Sequence, residues 1–524
     1  MSYKEIDPLR VPVKIDELVE QAYKELKPFF EPESIAVIGA SRDEWSIGWV
    51  VFKNLAENYK NKKLKARIYG VNVKGGELFG YKLYKSIMDI PDSIDHAVIV
   101  VPAKFVLDVV EECGKKGVKA LTIISAGFSE IGNTELENKV IETARKYGMR
   151  IIGPNCLGVF DNFGGVDTLF TPEFKKYYDQ MLLTSPRPKP GVIMFGSQSG
   201  ALGLAILDAL YGADIGIAKF VSYGNKADVD ETDLLLWSLK DPYVDVIMLY
   251  IEGIKKAGRL FVEVAKEVSK KKPIVVLKGG RTQAGARAAE SHTGSLAGDY
   301  KMYIAAFKKI GAVVVETLDE FIDTVKAFST QPPARGYNLA IITDGGGAGL
   351  LAADAAEKYG LIVNPPSDEL LARLKDGVNR GYIVPFATFA NPIDITGSAT
   401  DESFVYALEA VLDDKNTDSV MIIGLHHVPG VTDQLPKKLV EVIEEKDTNK
   451  PVAFCTVGGA DYAVRFRKSF EEAGIPTYPT PERAALVLKN LADYGSWLAS
   501  LGLYESYIKE WKERQKLRKS SESH

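Results

Sequence analysis

Short apolar runs separated by amphipathic stretches of helical period recur along this chain, a pattern that fits parallel strands buried on both faces and joined by helices. An amphipathic helix is expected near residues 16–28, ahead of the run Ser34-Ile35-Ala36-Val37-Ile38. Further strands are expected at 66–71, 96–101, 120–124 and 150–152, with helical patterns at 105–116 and 134–147. The rhythm resumes with strands at 192–195, 218–222, 244–251, 274–278 and 312–315, and a helix running to about Leu210. It starts a third time at 339–343, followed by a helix through Tyr359 and strands at 419–424 and 452–456. Alternation of this kind specifies α/β architecture. The expectation is three consecutive doubly wound domains, a Rossmann-like one followed by two flavodoxin-like ones.

Breaks in the pattern set the boundaries. Residues 1–30 form an N-terminal helical extension and 31–160 the first domain. Residues 161–190 read as an irregular linker or insertion, with Gly164-Gly165 and the Pro-rich run Ser185 to Gly191. The second domain covers 191–331, and the third covers 332–498 after Gln331-Pro332-Pro333-Ala334-Arg335-Gly336. The tail 499–524 is charged, helical at first and then fraying, and reads as a solvated helix face.

Composition agrees with several cores: 524 residues, 46% of them hydrophobic, exceed what one core serves. The 65 Lys and Arg are interspersed among 70 Asp and Glu, so no basic field for nucleic acid is expected. Cys113, Cys156 and Cys455 lie far apart and form neither a disulfide framework nor a zinc-ligand cluster, which fits a reducing cytoplasm. No apolar stretch has the length of a membrane span, so a soluble protein is expected.

Candidate chemistry crowds at the carboxyl ends of the expected strands, where open α/β sheets bind ligands. The first domain offers Gly39-Ala40-Ser41, Asn72-Val73-Lys74, Val101-Pro102, Ser125-Ala126-Gly127-Phe128 and Gly153-Pro154-Asn155-Cys156. In the second, Ser197-Gln198-Ser199-Gly200-Ala201 opens a helix with Ser199 as its N-cap, either to hold a phosphate or simply as a capped helix start. Glu252 ends a strong apolar strand, where a carboxylate has no packing reason to be. His292 sits in Glu290-Ser291-His292-Thr293-Gly294-Ser295, a run of small residues that leaves an imidazole reachable. That suits a phosphoryl carrier, and equally a turn histidine with a structural hydrogen bond.

Other features carry less. Asp228, Asp230 and Glu231 read as helix caps, and no metal is assigned to them. The loop Asp344 to Gly349 is either a phosphate cradle or a site of close packing. His426 and His427 have no Cys or acid ligands beside them, and Cys156 has no partner histidine in view.

Taken together, GAS at 39–41, NxKGGE at 72–77, VPAKF at 101–105, ISAGF at 124–128, GPNCLG at 153–158, SQSGALG at 197–203, GNKADVDE at 224–231 and SHTGSLAG at 291–298 form a specific set. With it, residues 30–498 resemble the α subunit of the NDP-forming acyl-CoA synthetases, in particular the ADP-forming acetate–CoA ligases, relatives of succinyl-CoA synthetase. The resemblance implies a CoA-binding domain followed by two ligase domains. It implies the reversible reaction acyl-CoA + phosphate + ADP ⇌ carboxylate + CoA + ATP, through an acyl phosphate and phosphorylated His292, with Glu252 orienting the imidazole. CoA would be held by the amides of Gly39, Ala40 and Ser41 at its phosphates, by the charge of Lys74, and by a channel for its arm lined by Val101, Pro102, Ala126 and Phe128, with Ser125 beside them. Phosphate and the acyl group would be held by Asn155, Ser197, Gln198, Ser199 and Gly200, with Cys156 as a small packing residue beside them.

NAD competes with CoA for such a first turn. Here GxS replaces a full GxGxxG, and Asn72 and Lys74 stand where a ribose-binding acid is expected, which favours CoA. The resemblance also implies that ADP or ATP with magnesium binds chiefly on an ATP-grasp β subunit, making a hetero-oligomer that acts on small carboxylic acids and acyl-CoA. The rival readings are a non-catalytic CoA-binding regulatory or scaffold subunit and an NAD-dependent dehydrogenase. Nothing downstream supplies a hydride-transfer constellation for the latter.

Overall fold

In the computed structural model, which describes residues 14–254, 258–293 and 299–522, the chain divides into two compact units, Met1–Leu318 and Asp319–His524. The first unit holds two large sheets. In one, the strand order is Gly76–Leu78, Tyr81–Tyr84, Arg67–Val71, Ser34–Ile38, His96–Ile99, Ala120–Ile123, Arg150–Ile152. All pairings are parallel except that of Gly76–Leu78 with Tyr81–Tyr84, an edge hairpin the apolar pattern did not predict because its side chains are largely solvated. Ser34–Ile38 and His96–Ile99 are buried at every position, as strands covered by helices on both faces must be. The order reverses between these two strands, which places the ligand-binding crevice outside Ile38 and Ile99.

The second sheet runs Val313–Val315, Ile274–Lys278, Val246–Ile251, Pro190–Ser197, Ile217–Ser222, Val159–Asp161, parallel except for the last strand. Its reversal lies between Pro190–Ser197 and Val246–Ile251, so Gln198 and Glu252 emerge side by side. The segment 161–190 is more ordered than its composition predicts. Val159–Asp161 begins it by joining the second sheet, and Phe174–Tyr177 pairs with Gln180–Leu183 in an exposed hairpin.

The helix Ile15–Phe30 ties the two sheets together. Its apolar stripe, including Ala22, Leu26 and Phe30, is buried, and Tyr23 stacks on Trp237 at 4.5 Å between centroids. Arg150, on the last strand of the first sheet, reaches Asp228 and Asp233 at 2.8 Å and also bonds Glu25 of this helix. A largely buried guanidinium with carboxylates on several sides is satisfied only in this one arrangement, so it fixes how the two sheets pack.

The second unit contains one sheet in the order Thr388–Phe389, Ile393–Asp394, Leu339–Thr343, Ser419–Ile423, Val452–Cys455, Thr477–Tyr478. Helix Leu318–Thr330 packs here through Asp323 with Arg483 and Lys326 with Glu471, each at 2.8 Å, so this unit starts ahead of the Pro/Gly break at residue 331. The chain closes on a helix, Tyr504–Glu522, that continues where fraying was expected. Three doubly wound α/β layers are thus present, as the pattern predicts. No helix among the described residues is long and apolar enough to cross a membrane.

Candidate active site

At the first crevice Gly39 takes φ +102°, and its amide and that of Ala40 both donate to the carbonyl of Val71, at 2.9 and 3.1 Å. These two amides are committed within the sheet and are not the phosphate donors the sequence assigned to them. Helix Ile47–Lys60 begins beyond them, and the Ser46 hydroxyl caps it by accepting the Trp49 amide at 3.2 Å. Its first-turn amides at Ile47 and Gly48 lie at the positive end of the helix. Gly48 is demanded by close approach: a Cβ there would lie 2.0 Å from the Gly39 carbonyl oxygen.

Asn72 donates to the Ala40 carbonyl at 2.7 Å and accepts the Lys74 amide at 2.9 Å, so it ties the two turns together. Ser41 accepts the Asp43 amide through its hydroxyl at 3.1 Å. The exposed Lys74 shares this rim with Arg42, which lies against Gly76 and which the motif reading passed over. Val101 is half-buried and Pro102 exposed, both at the crevice edge. Phe128 is a correction. It is completely buried in the domain core and lines no channel.

Between the two sheets of the first unit lies a cavity of about 730 Å³. Ser125 and Ala126 reach it from the first sheet, with the Ser125 hydroxyl donating to the Val101 carbonyl at 2.5 Å. Asn155 enters from the connection, at φ +56°, its amide donating to the Ser125 carbonyl at 3.0 Å and its side chain to the Asn225 oxygen at 3.3 Å. Asn225 in turn donates to Glu130 at 2.6 Å and Glu137 at 2.8 Å. Burial alone would raise the Glu130 carboxyl, but hydrogen bonds from Asn225 and from the amides of Gly127 and Phe128 outweigh it and hold it below its ordinary value. Glu130 and Asn225 line the cavity, and sequence reasoning missed them although both lie in or beside the motifs. Their pairing across the sheets is what makes them a candidate site.

From the second sheet, the Ser199 hydroxyl caps helix Gly200–Gly212 by accepting the Leu202 amide at 3.3 Å, as expected of an N-cap. Gly200 and Ala201 line the cavity at this helix start, a geometry that favours an anion. Ser197 is a second correction. It is fully buried and donates to the Ser199 carbonyl at 2.7 Å, shaping the helix start from beneath. Cys156 is buried against the cavity wall with its thiol pushed up to about 12 by burial, which suits packing and not nucleophilic attack.

The turn carrying Glu252 is pinned on every side. The Gln198 side-chain oxygen accepts the amides of Glu252 and Gly253 at 2.9 and 3.2 Å, and the Tyr303 hydroxyl accepts that of Ile254 at 3.2 Å. Lys278 donates to the Glu252 carbonyl at 2.8 Å, and Lys226, paired with Glu231 at 2.9 Å, donates to the Gly253 carbonyl at 2.6 Å. The Glu252 carboxylate is left at the cavity wall, hydrogen-bonded to Tyr250, whose hydroxyl is raised by burial and then by the carboxylate charge.

Helix Gln283–Thr293 contains His292, so the backbone there is helical and not the loop expected. The His292 side chain and residues 294–298 lie outside the described residues. Asp230 caps helix Glu231–Ser238, and Asp228 accepts from Arg150 and the Ile151 amide, so each has a structural partner. In the second unit, Gly345 precedes helix Gly346–Tyr359 without a side-chain cap, and the His426 and His427 rings lie 3.9 Å apart.

Comparison with known proteins bears on this geometry. A sequence model described as a CoA binding domain matches residues 33–161, one described as a succinyl-CoA ligase like flavodoxin domain matches 190–328, and one described as a Ligase-CoA domain matches 339–498. The chain is 43% identical to the subunit alpha of acetate–CoA ligase [ADP-forming] I of Pyrococcus furiosus, over 90% of this chain and 98% of that one. It is 42% identical to acetate–CoA ligase [ADP-forming] of Methanocaldococcus jannaschii, over 93% of this chain but only 66% of that longer protein. Among solved structures it is similar to the dinucleotide forming acetyl-coenzyme A synthetase 1 of Ca. Korarchaeum cryptofilum in complex with phosphate and ADP. That match has a TM-score of 0.81 and 38% identity, and covers 93% of this chain and 98% of the other.

Proposed function

Because the chain belongs to the family of ADP-forming acetate–CoA ligases, we propose that it carries the acyl-transfer and phosphoryl-carrier half of an acyl-CoA synthetase, with His292 as the carrier. In this reading, phosphate attacks the thioester carbonyl of acyl-CoA; the C–S bond breaks, CoA leaves as the thiol, and an acyl phosphate forms. The imidazole of His292 then attacks phosphorus, the P–O bond to the acyl oxygen breaks, and the carboxylate departs. Phosphorylated His292 finally gives its phosphoryl group to ADP.

The observation that carries this reading is the shared cavity. It sets the capped helix start at Ser199 and Gly200 opposite Asn155 and beside Glu252, so one space holds anion-binding amides, a polar hook for a carbonyl and a fixed carboxylate. The amides favour the phosphoryl oxygens at each stage. Glu252, immobilised through its backbone, suits accepting the imidazole N–H and steadying the ring as it becomes cationic. CoA fits the first crevice through the helix start at Ile47 and Gly48 and the cations Arg42 and Lys74, with Ser125 and Ala126 along the way to the cavity.

The Methanocaldococcus jannaschii relative is half again as long as the matched region, and the Pyrococcus furiosus relative is named a subunit alpha. The name subunit alpha supports a separate partner, proposed to be an ATP-grasp subunit that holds ADP or ATP with magnesium. The test is to incubate the chain with acetyl-CoA and inorganic phosphate, with and without that partner, and to seek an acid-labile phosphoryl group on His292 by mass spectrometry. An adduct that ADP discharges to ATP in the presence of the partner supports the reading. Its absence across several acyl-CoAs, with CoA binding demonstrated, makes the chain a regulatory CoA-binding subunit.

A further inference from the structure

Lys278 ends strand Ile274–Lys278 next to the Glu252 turn, in register with Ile251, and it is 6% exposed. Its ammonium donates to the carbonyls of Glu252 and Gly279 and lies 4.8 Å from the centroid of the Tyr303 ring, and among the described residues it joins no salt bridge. Lys226, the other lysine that reaches this turn, is paired with Glu231. A buried cation held by carbonyl dipoles and a ring, with no carboxylate at contact distance among the described residues, is expensive unless its charge is used. Here it clamps together the two backbone stretches that lead to Glu252 and to the helix bearing His292.

We propose that Lys278 is a positioning residue for phosphoryl transfer onto His292, its ammonium holding the Glu252 turn at the angle that transfer requires. This rests on the function proposed above. The residue touches no reacting atom and acts through the Glu252 backbone. The ionisable groups facing it among the described residues are Glu252 and Tyr250 from the adjacent strand, Lys226 with its partner Glu231 from the neighbouring loop and helix, and Tyr303 from helix Tyr300–Lys309. Burial lowers the Lys278 ammonium to about 8, with Glu252 opposing and Lys226 reinforcing the shift. The clamp therefore loosens as pH rises through that value.

The test is the initial rate of His292 phosphorylation from acetyl-CoA and inorganic phosphate, followed from neutral to alkaline pH on the full chain with its partner. The wild-type rate should fall on the alkaline side with a midpoint at about 8. Lys278→Arg should keep most of the neutral-pH rate and move that limb to higher pH. Lys278→Met should lose roughly 100-fold and show no limb, with CoA binding unchanged. A wild-type limb that Lys278→Arg does not move overturns the proposal even if Lys278→Met fails to fold, and so does a Lys278→Met profile equal to wild type. If the wild-type chain takes no phosphoryl group at all, the proposed function fails, an outcome distinct from either of these.

Discussion

The amide of Glu252 donates to the side-chain oxygen of Gln198 at 2.9 Å, although the two residues lie 54 positions apart. That single acceptor also takes the Gly253 amide, so the helix-start motif and the carboxylate turn are one mechanical part. Gln198→Leu leaves two backbone N–H groups without their acceptor, at a cost of about 1–3 kcal/mol. Chemical denaturation should register that loss, and the rate of His292 phosphorylation should fall at least tenfold. An unchanged rate in Gln198→Leu would mean that the turn is held without it.

Asn225 bridges Glu130 and Glu137, two carboxylates that without it face each other across its amide. Asn225→Asp adds a third negative charge at that point and should lower the melting temperature and raise the KM for acyl-CoA. The pH dependence has a definite sign. Because Glu130 is held below its ordinary value, its stabilising contribution is present above about pH 4.3 and is lost as pH falls through its folded value. The gap between wild type and Asn225→Asp should therefore narrow in acid, which thermal denaturation at several pH values will check.

Much of this arrangement can be read from the chain because local chemistry dictates it. Val246–Ile251 is apolar at every position, so a carboxylate at its end stands out, and Ser199 announces a helix start by its side chain alone. What local chemistry cannot reveal is where a hydrogen bond ends. Gly39 and Ala40 look like free phosphate donors until Val71 is seen to accept both amides, and Phe128 looks like a channel wall until it is found in the core. Glu130 and Asn225 are separated by 95 positions, and neither signals the other. Helix Leu318–Thr330 stands before a Pro/Gly break, and that break marks where a helix ends, not which sheet it packs on.

Gly48 tests the first crevice. An alanine Cβ would lie 2.0 Å from the Gly39 carbonyl oxygen, far inside contact distance, and backbone cannot yield as a flexible side chain does. Helix Ile47–Lys60 must then shift away from the strand end and take its first-turn amides with it. Gly48→Ala should weaken CoA binding, measured by calorimetry, by roughly tenfold or more, since about 1.4 kcal/mol of lost contact is enough. It should also lower the melting temperature. Unchanged affinity would place the CoA phosphates elsewhere.

Asp344 gives a prediction for the second unit with the opposite pH sign. Its carboxylate accepts the Leu425 amide at about the usual distance, 2.9 Å, yet burial lifts it to about 7, and the nearby Asp394 charge adds to the shift. The unfolded chain ionises this group near pH 4 while the folded chain keeps it protonated until about 7, so the wild type loses stability across that interval and no more above it. Asparagine keeps an oxygen for the Leu425 amide and never ionises. The stability advantage of Asp344→Asn should therefore be absent at about pH 4, grow up to about pH 7, and then level off at a few kcal/mol. Urea denaturation across that range measures it directly. An advantage independent of pH would show that Asp344 is already ionised in the fold, and that the Leu425 amide and its surroundings outweigh its burial.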